Sequence, residues 1–187
     1  MSPSNTECAP ELVVDRWFNT HKPITLASLL GMPVLLHGFQ LLCPGCVSEA
    51  LPQLKRIQKV FGGTDLQIIG LHTVFEHHAA MPPVTLEAFI HEYGITFPVA
   101  IDHNQSTLPV TMQLYGMRGT PSSVLIGRDG TVHHHAFGVE DDLTVGARIA
   151  MALAAQKVSL APSKIGAGDT ACNDSQCEVE IKPPSGA

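Results

Sequence analysis

The stretch VLLHGFQLLCPGCVSEALPQLKRIQKVF, residues 34–61, constrains the fold more than any other part of this chain. It opens with an apolar run, Val34–Leu42, of strand length, which predicts a strand buried on both faces. Pro44 then suits the first turn of a helix, where its missing N–H is harmless. Val47, Leu51, Leu54, Ile57 and Phe61 follow at helical spacing, and Gly62-Gly63 ends the run. Pro52 falls inside this helix and predicts a kink there. The junction of strand and helix is Cys43-Pro44-Gly45-Cys46.

The rest of the chain repeats the alternation. Glu11–Asn19 reads as a short strand or lead-in, and Lys22–Pro33 as a turn, a short helical piece and a break at Gly31. Strands are predicted at Asp65–His72 and Thr96–Asp102, and a helix from about Val84 to Tyr93, with Thr85 offering a hydroxyl cap. Ser106–Met117 reads as a short helix weakened by Pro109. Two strand-like runs, SSVLIG and TVHHHAFG, flank Arg128-Asp129-Gly130, a strong hairpin signal. Asp141–Gln156 reads as a closing helix rich in alanine. Three βα units, a β-hairpin and a last helix give an α/β fold, a central mixed sheet with helices on both faces. Residues 1–156 are expected to form this domain. Residues 157–187, rich in Pro, Ser, Gly and Ala, read as a flexible tail that carries Cys172 and Cys177.

Hydrophobic residues make up 44% of the 187, enough for one ordinary core. The net charge of −6 argues against a nucleic-acid partner, which needs clustered Lys and Arg. No run approaches the length of a membrane helix, so no membrane association is expected. The first residues, MSPSNTECAPELVVDRW, show neither a basic region nor a continuous apolar core of a signal peptide, and a cytoplasmic location is the expectation. The odd count of 5 cysteines does not suggest a disulfide scaffold. In a reducing compartment such residues are more often catalytic or metal-binding.

Three readings of the Cys43/Cys46 pair follow from chemistry. At the N-cap of the helix, free N–H groups and the positive end of the helix dipole favour a Cys43 thiolate, the attacking species. Cys46, one turn on and more buried, would then resolve the mixed disulfide. The pair is otherwise half of a zinc site, for which no second ligand pair at suitable spacing lies nearby, or two small residues at a turn. A second signal is Thr120-Pro121 in GMRGTPSSVLI, just before a strand, where a proline that cannot donate to a ladder belongs.

Over about residues 10–156, CPGC after VLLHGFQL, RGTPSSVLIGRDGTV and the element order resemble the thioredoxin-like superfamily. The resemblance is to its redoxin (AhpC/TSA-like) group, with kinship to TlpA-like thiol–disulfide reductases. It implies a thioredoxin fold with an N-terminal redoxin extension. It also implies a cis Thr120-Pro121 peptide facing the cysteines, with Thr120, Pro121, Pro44 and Gly45 shaping the substrate groove. The chain departs from the family at several points. Leu42 replaces the usual Trp before the first cysteine, and Pro-Gly replaces Gly-Pro. His37 stands where thioredoxins bury an acid, and is the expected proton shuttle for Cys46 unless it is only a packed core histidine. Peroxiredoxins carry Thr or Ser three residues before the peroxidatic cysteine and Pro four residues earlier, where Gln40 and Leu36 stand here.

Other candidates are weaker. His72, Glu76, His77 and His78 are expected to border the site as polar loop residues rather than to bind a metal. His133–His135 lie on a strand, so His134 faces opposite the other two. Cys172 and Cys177 are candidates for an internal electron relay to Cys43, across a linker that spans on the order of 20 Å. Cys8 reads as an unpaired thiol.

The expected function is an enzyme, a thiol–disulfide oxidoreductase acting as a reductant, with Cys43 as nucleophile and Cys46 resolving. It needs no cofactor and no metal. Its partners are a protein or small-molecule disulfide and a cellular thiol reductant. The alternatives are an antioxidant peroxidase using Cys43, with Cys46 condensing onto its sulfenic acid, and a non-catalytic metal-binding or redox-sensing module.

Overall fold

The computed structural model describes residues 8–105 and 108–155; the tail, with Cys172 and Cys177, lies outside them. Six strands form one mixed sheet in the order β1-β4-β3-β2-β5-β6. They are β1 (Val14–Phe18), β2 (Val34–Phe39), β3 (Gln67–His72), β4 (Val99–Asp102), β5 (Ser122–Ile126) and β6 (Val132–Phe137). β2 and β3 run parallel, as do β3 and β4. β5 lies antiparallel to β2, and β6 closes one edge as the far arm of the hairpin. β1 is the N-terminal extension and pairs antiparallel with β4 at the other edge.

The apolar run beginning at Val34 becomes the central strand, and all of β2 is buried. Its alternating residues divide the core. Leu35 and Phe39 join one cluster with α1 (Leu51–Phe61), α2 (Pro83–Glu92) and α4 (Asp142–Ala154), through Leu54, Leu86 and Ile149. Val34 and Leu36 join the opposite cluster, with Leu12 of the extension and Met112 of α3 (Val110–Leu114). Helices therefore cover both faces, as the alternation predicts. Phe39 and Leu36 are fully buried, each worth about 2 kcal/mol relative to exposure.

Several boundaries differ from the sequence expectation, for local reasons. β2 stops at Phe39 because the chain turns there, with the Cys43 N–H donating to the Gln40 carbonyl. The expected kink at Pro52 is a wide π-helical turn, Cys46–Ala50, in which Leu51 N–H bonds to the Cys46 carbonyl. Pro52 supplies no N–H to an α-helical turn, and the extra residue in the turn before it accommodates that loss. Thr85 does not cap α2: Pro82 is the N-cap, Pro83 opens the helix, and no side chain bonds the cap. Pro109 does not weaken α3 but bounds it, as its N-cap. The buried Asp102 carboxylate then accepts the Thr111 and Met112 N–H groups at 2.8 and 2.9 Å. Asp141 caps α4 by accepting the Thr144 N–H at 2.9 Å. The hairpin forms as expected, its turn closed by Gly127 N–H on the Thr131 carbonyl, with Gly130 at φ +79°.

Cys8 is a correction. It is disulfide-bonded, not an unpaired thiol, and its backbone pairs antiparallel with Thr131 at the hairpin turn. Among the described residues no helix is long and apolar enough to cross a membrane.

Candidate active site

The central strand ends where Cys43 begins. The Cys43 carbonyl accepts the N–H groups of Cys46 and Val47, both at 3.1 Å, so Cys43 sits at the start of the helix, as its N-cap position requires. Its Sγ accepts the Cys46 N–H at 3.3 Å. On its other side the Cys43 thiol meets the Thr120 carbonyl at 3.4 Å. The Thr120–Pro121 peptide bond is cis. The Pro121 ring lies against Gly45, where an added Cβ would meet its Cδ at 3.6 Å. Cys43, Gly45, Cys46, Thr120 and Pro121 thus form one group. Pro44 opens the helix, and its carbonyl accepts the Ser48 hydroxyl at 2.9 Å.

The two sulfurs differ sharply. Cys43 is half-buried and Cys46 is fully buried, and neither is in a disulfide. Burial pushes the Cys46 thiol up to about 12, and its hydrogen bond with Cys43 adds to the rise. At neutral pH Cys46 is a protonated thiol.

His37 is on β2, on the same face as Leu35 and Phe39, the face whose cluster contains Cys46. Its Nδ1 is 2.8 Å from the Ser123 hydroxyl, directly across the β2–β5 ladder. Its Nε2 is buried with no hydrogen-bond partner. Desolvation lowers its pKa to about 4, so the ring is neutral at pH 7.

Gln40 is a residue whose role the sequence did not show. It is buried, its Oε1 accepts the Phe75 N–H at 3.2 Å, and its Nε2 lies 3.5 Å from the Thr120 hydroxyl. It joins the cysteine turn, the loop after β3 and the proline loop. A polar residue between Phe39 and Leu41 in an apolar run was the available signal.

The histidine loop does not assemble. His72 is buried at the end of β3 beside the Phe39 ring, its pKa lowered to about 4 by desolvation. Glu76, His77 and His78 are in the exposed segment beyond it. His134 faces away from its neighbours, as expected, and its Nε2 meets Glu140 at 2.8 Å. Among the described residues no group of three or more His, Cys, Asp or Glu side chains is placed to hold a metal ion.

This geometry agrees with what the chain is similar to. Residues 6–135 match the AhpC/TSA family. The chain belongs to the AhpC/TSA family. Among solved structures, this AhpC/TSA chain is 44% identical to a thioredoxin-like superfamily protein, with a TM-score of 0.78, covering 80% of this chain and 98% of that one. It is 39% identical to a thiol-disulfide isomerase from Corynebacterium glutamicum, with a TM-score of 0.76, covering 81% and 99%. These likenesses place the family domain in the thioredoxin fold. Among curated proteins it is 33% identical over 136 residues to Protein DipZ of Mycobacterium tuberculosis, and 28% identical over 109 residues to the thiol-disulfide oxidoreductase ResA of Halalkalibacterium halodurans. Those alignments cover 71% and 58% of this chain, which spans 19% of DipZ and 56% of ResA.

Proposed function

We propose that this AhpC/TSA-family protein is a thiol–disulfide oxidoreductase that works as a reductant. The observation that carries the reading is the asymmetry of the pair. Cys43 is half-exposed at a helix start against the Thr120 carbonyl, and Cys46 is buried behind it as a thiol. The names of the isomerase and of ResA support the same chemistry.

The Cys43 thiolate attacks one sulfur of a substrate disulfide, and the other sulfur leaves as a thiolate that takes up a proton. Cys46 then gives up its proton and attacks Cys43 Sγ. The second substrate thiol leaves, and the protein holds a Cys43–Cys46 disulfide, oxidised by two electrons. A cellular thiol reductant restores the dithiol. Thr120, Pro121, Pro44 and Gly45 line the groove that receives the substrate.

His37 assists the second step. A ring with a pKa of about 4 cannot hold the proton of a thiol at about 12 in the resting protein. Its role begins as negative charge develops on the Cys46 sulfur. When the Ser123 hydroxyl donates to Nδ1, Nε2 carries a hydrogen on the cluster face that holds Cys46. The reducing direction is supported by the same burial. No cation pairs with Cys46 among the described residues, and burial outweighs the hydrogen bonds that favour its thiolate, so the dithiol gives up its electrons more readily.

The test is reduction of bis(2-hydroxyethyl) disulfide under a thiol reductant, beside thiol loss on addition of hydrogen peroxide. Turnover that disappears in Cys43→Ser, with peroxide consumption no faster than a free thiol's, is expected. Fast peroxide consumption with no disulfide turnover would make the protein a peroxidase instead.

A further inference from the structure

Arg118 stands apart from the other described arginines. Arg16, Arg56, Arg128 and Arg148 each pair with a carboxylate, to Glu87, Asp142, Asp65 and Glu140. Among the described residues no carboxylate pairs with Arg118, whose guanidinium lies over the Phe137 ring, 5.4 Å from its centroid. Phe137 is 53% exposed, a large apolar ring held at the surface on the edge strand β6. A guanidinium over an aromatic face is oriented and partly desolvated, so it presents its donors in a fixed direction.

This pair is joined to the nucleophile through a short chain of contacts. The Phe137 ring packs on Gly119, where an added Cβ would sit 3.0 Å from it. Gly119 precedes Thr120, whose carbonyl meets the Cys43 thiol at 3.4 Å. The Gly138 N–H donates to the Pro121 carbonyl at 2.8 Å, which ties the end of β6 to the same loop. On the other side of Cys43 stands Leu42, 55% exposed. The mouth of the site is thus apolar and flanked by one unpaired cation.

The neighbouring charges leave Arg118 in control of the local sign. His135 is beside it, and its pKa is held below the ordinary value by burial, then by the charges on His134 and Arg118, so it is neutral at pH 7. Glu140, the acid nearest to His134, is already engaged by His134 and Arg148. The chain as a whole carries −6, so the positive charge of Arg118 stands against a net negative chain.

We propose that Arg118, seated on Phe137, is a specificity residue that selects disulfide substrates bearing an acidic side chain next to the reacting cysteine. The proposal rests on the oxidoreductase reading and names the substrate class for it. Arg118 touches neither sulfur. It acts on binding, through an ion pair at the rim that a wrong-sign substrate lacks.

The experiment uses the full chain and two disulfide-linked peptides that differ only in Glu or Lys beside the cysteine. The ratio of their kcat/KM values is read within each variant, so a general loss of activity cancels. An exposed ion pair supports a preference for the Glu peptide of about threefold to fivefold at low salt. Arg118→Ala is expected to erase that preference and Arg118→Glu to reverse it, while Arg118→Lys keeps the sign. Equal rates on the two peptides in the unaltered protein, or a Glu preference that survives Arg118→Glu, would overturn the proposal. Failure of the unaltered protein to reduce either peptide or bis(2-hydroxyethyl) disulfide would overturn the oxidoreductase reading itself, a separate outcome.

Discussion

Cys43 and Cys46 are one helical turn apart and occupy two different media. Cys43 lies at the rim, against a backbone carbonyl, beside Gly45, Pro121 and the exposed Leu42. Cys46 lies in the same cluster as Leu54 and Phe39, fully buried, its thiol pushed up to about 12. The difference comes from the helix geometry. Cys43 precedes the first turn and opens to the rim, while Cys46 begins the turn that packs into the core cluster. One sulfur is thereby reachable from the rim and the other is enclosed.

Substitutions can break this division of labour, and the largest effect is expected at the rim. Cys43→Ser should lower disulfide turnover by about 10³-fold or more, because no other described free thiol is exposed. Substantial activity left in that variant would mean that Cys46 attacks first, and the comparison would fail. Cys46→Ser should lower turnover by about 10²-fold while the first attack continues. Intact mass spectrometry should then show the substrate held on Cys43. An unmodified protein under those conditions would show that Cys46 is needed for attack as well as release.

His37 sharpens the comparison, because it belongs to the buried half alone. His37→Gln is expected to slow decay of the mixed disulfide by about tenfold, with formation of it unaltered, as resolved by rapid mixing. Equal slowing of both steps would indicate a general structural defect.

A further signal is thermodynamic rather than kinetic. His37 and His72 are both buried with pKa values lowered to about 4. In the unfolded chain they titrate near 6.5, so between about pH 6.5 and 4 the unfolded state binds more protons. Stability is fully present above that window and is lost as the pH falls through it, by on the order of 3 kcal/mol for each ring. Urea midpoints at pH 7 and pH 4.5 check this, with His72→Phe expected to remove about half of the loss. A midpoint independent of pH would show that the rings are solvated.

The parts of the fold legible in the sequence are those set by neighbours along the chain. The apolar run from Val34, the proline after Cys43, the hairpin at Arg128-Asp129-Gly130 and the closing helix from Asp141 were each visible. Thr85 misled, because a hydroxyl near a helix start competes with Pro83, which fixes φ for the first turn. Pro52 predicts a kink, but the lost N–H is accommodated upstream, in the turn that holds Cys46. His72 groups with His77 and His78 by proximity in sequence, yet it ends a buried strand and they do not.

By itself the sequence determined the cysteine pair, the strand that leads to it and the helix that follows, since propensity and capping act within a turn or two of chain. Only the tertiary structure decided what surrounds the pair. Cys43 meets Thr120 across 77 residues, and His37 meets Ser123 across 86. Which strands become neighbours depends on how the whole sheet buries its two faces. Phe137 and Arg118 gain their place at the rim from that same order, with β6 paired to β5 and β5 paired to β2. No local pattern encodes such a meeting, because its free energy comes from burial shared among distant segments.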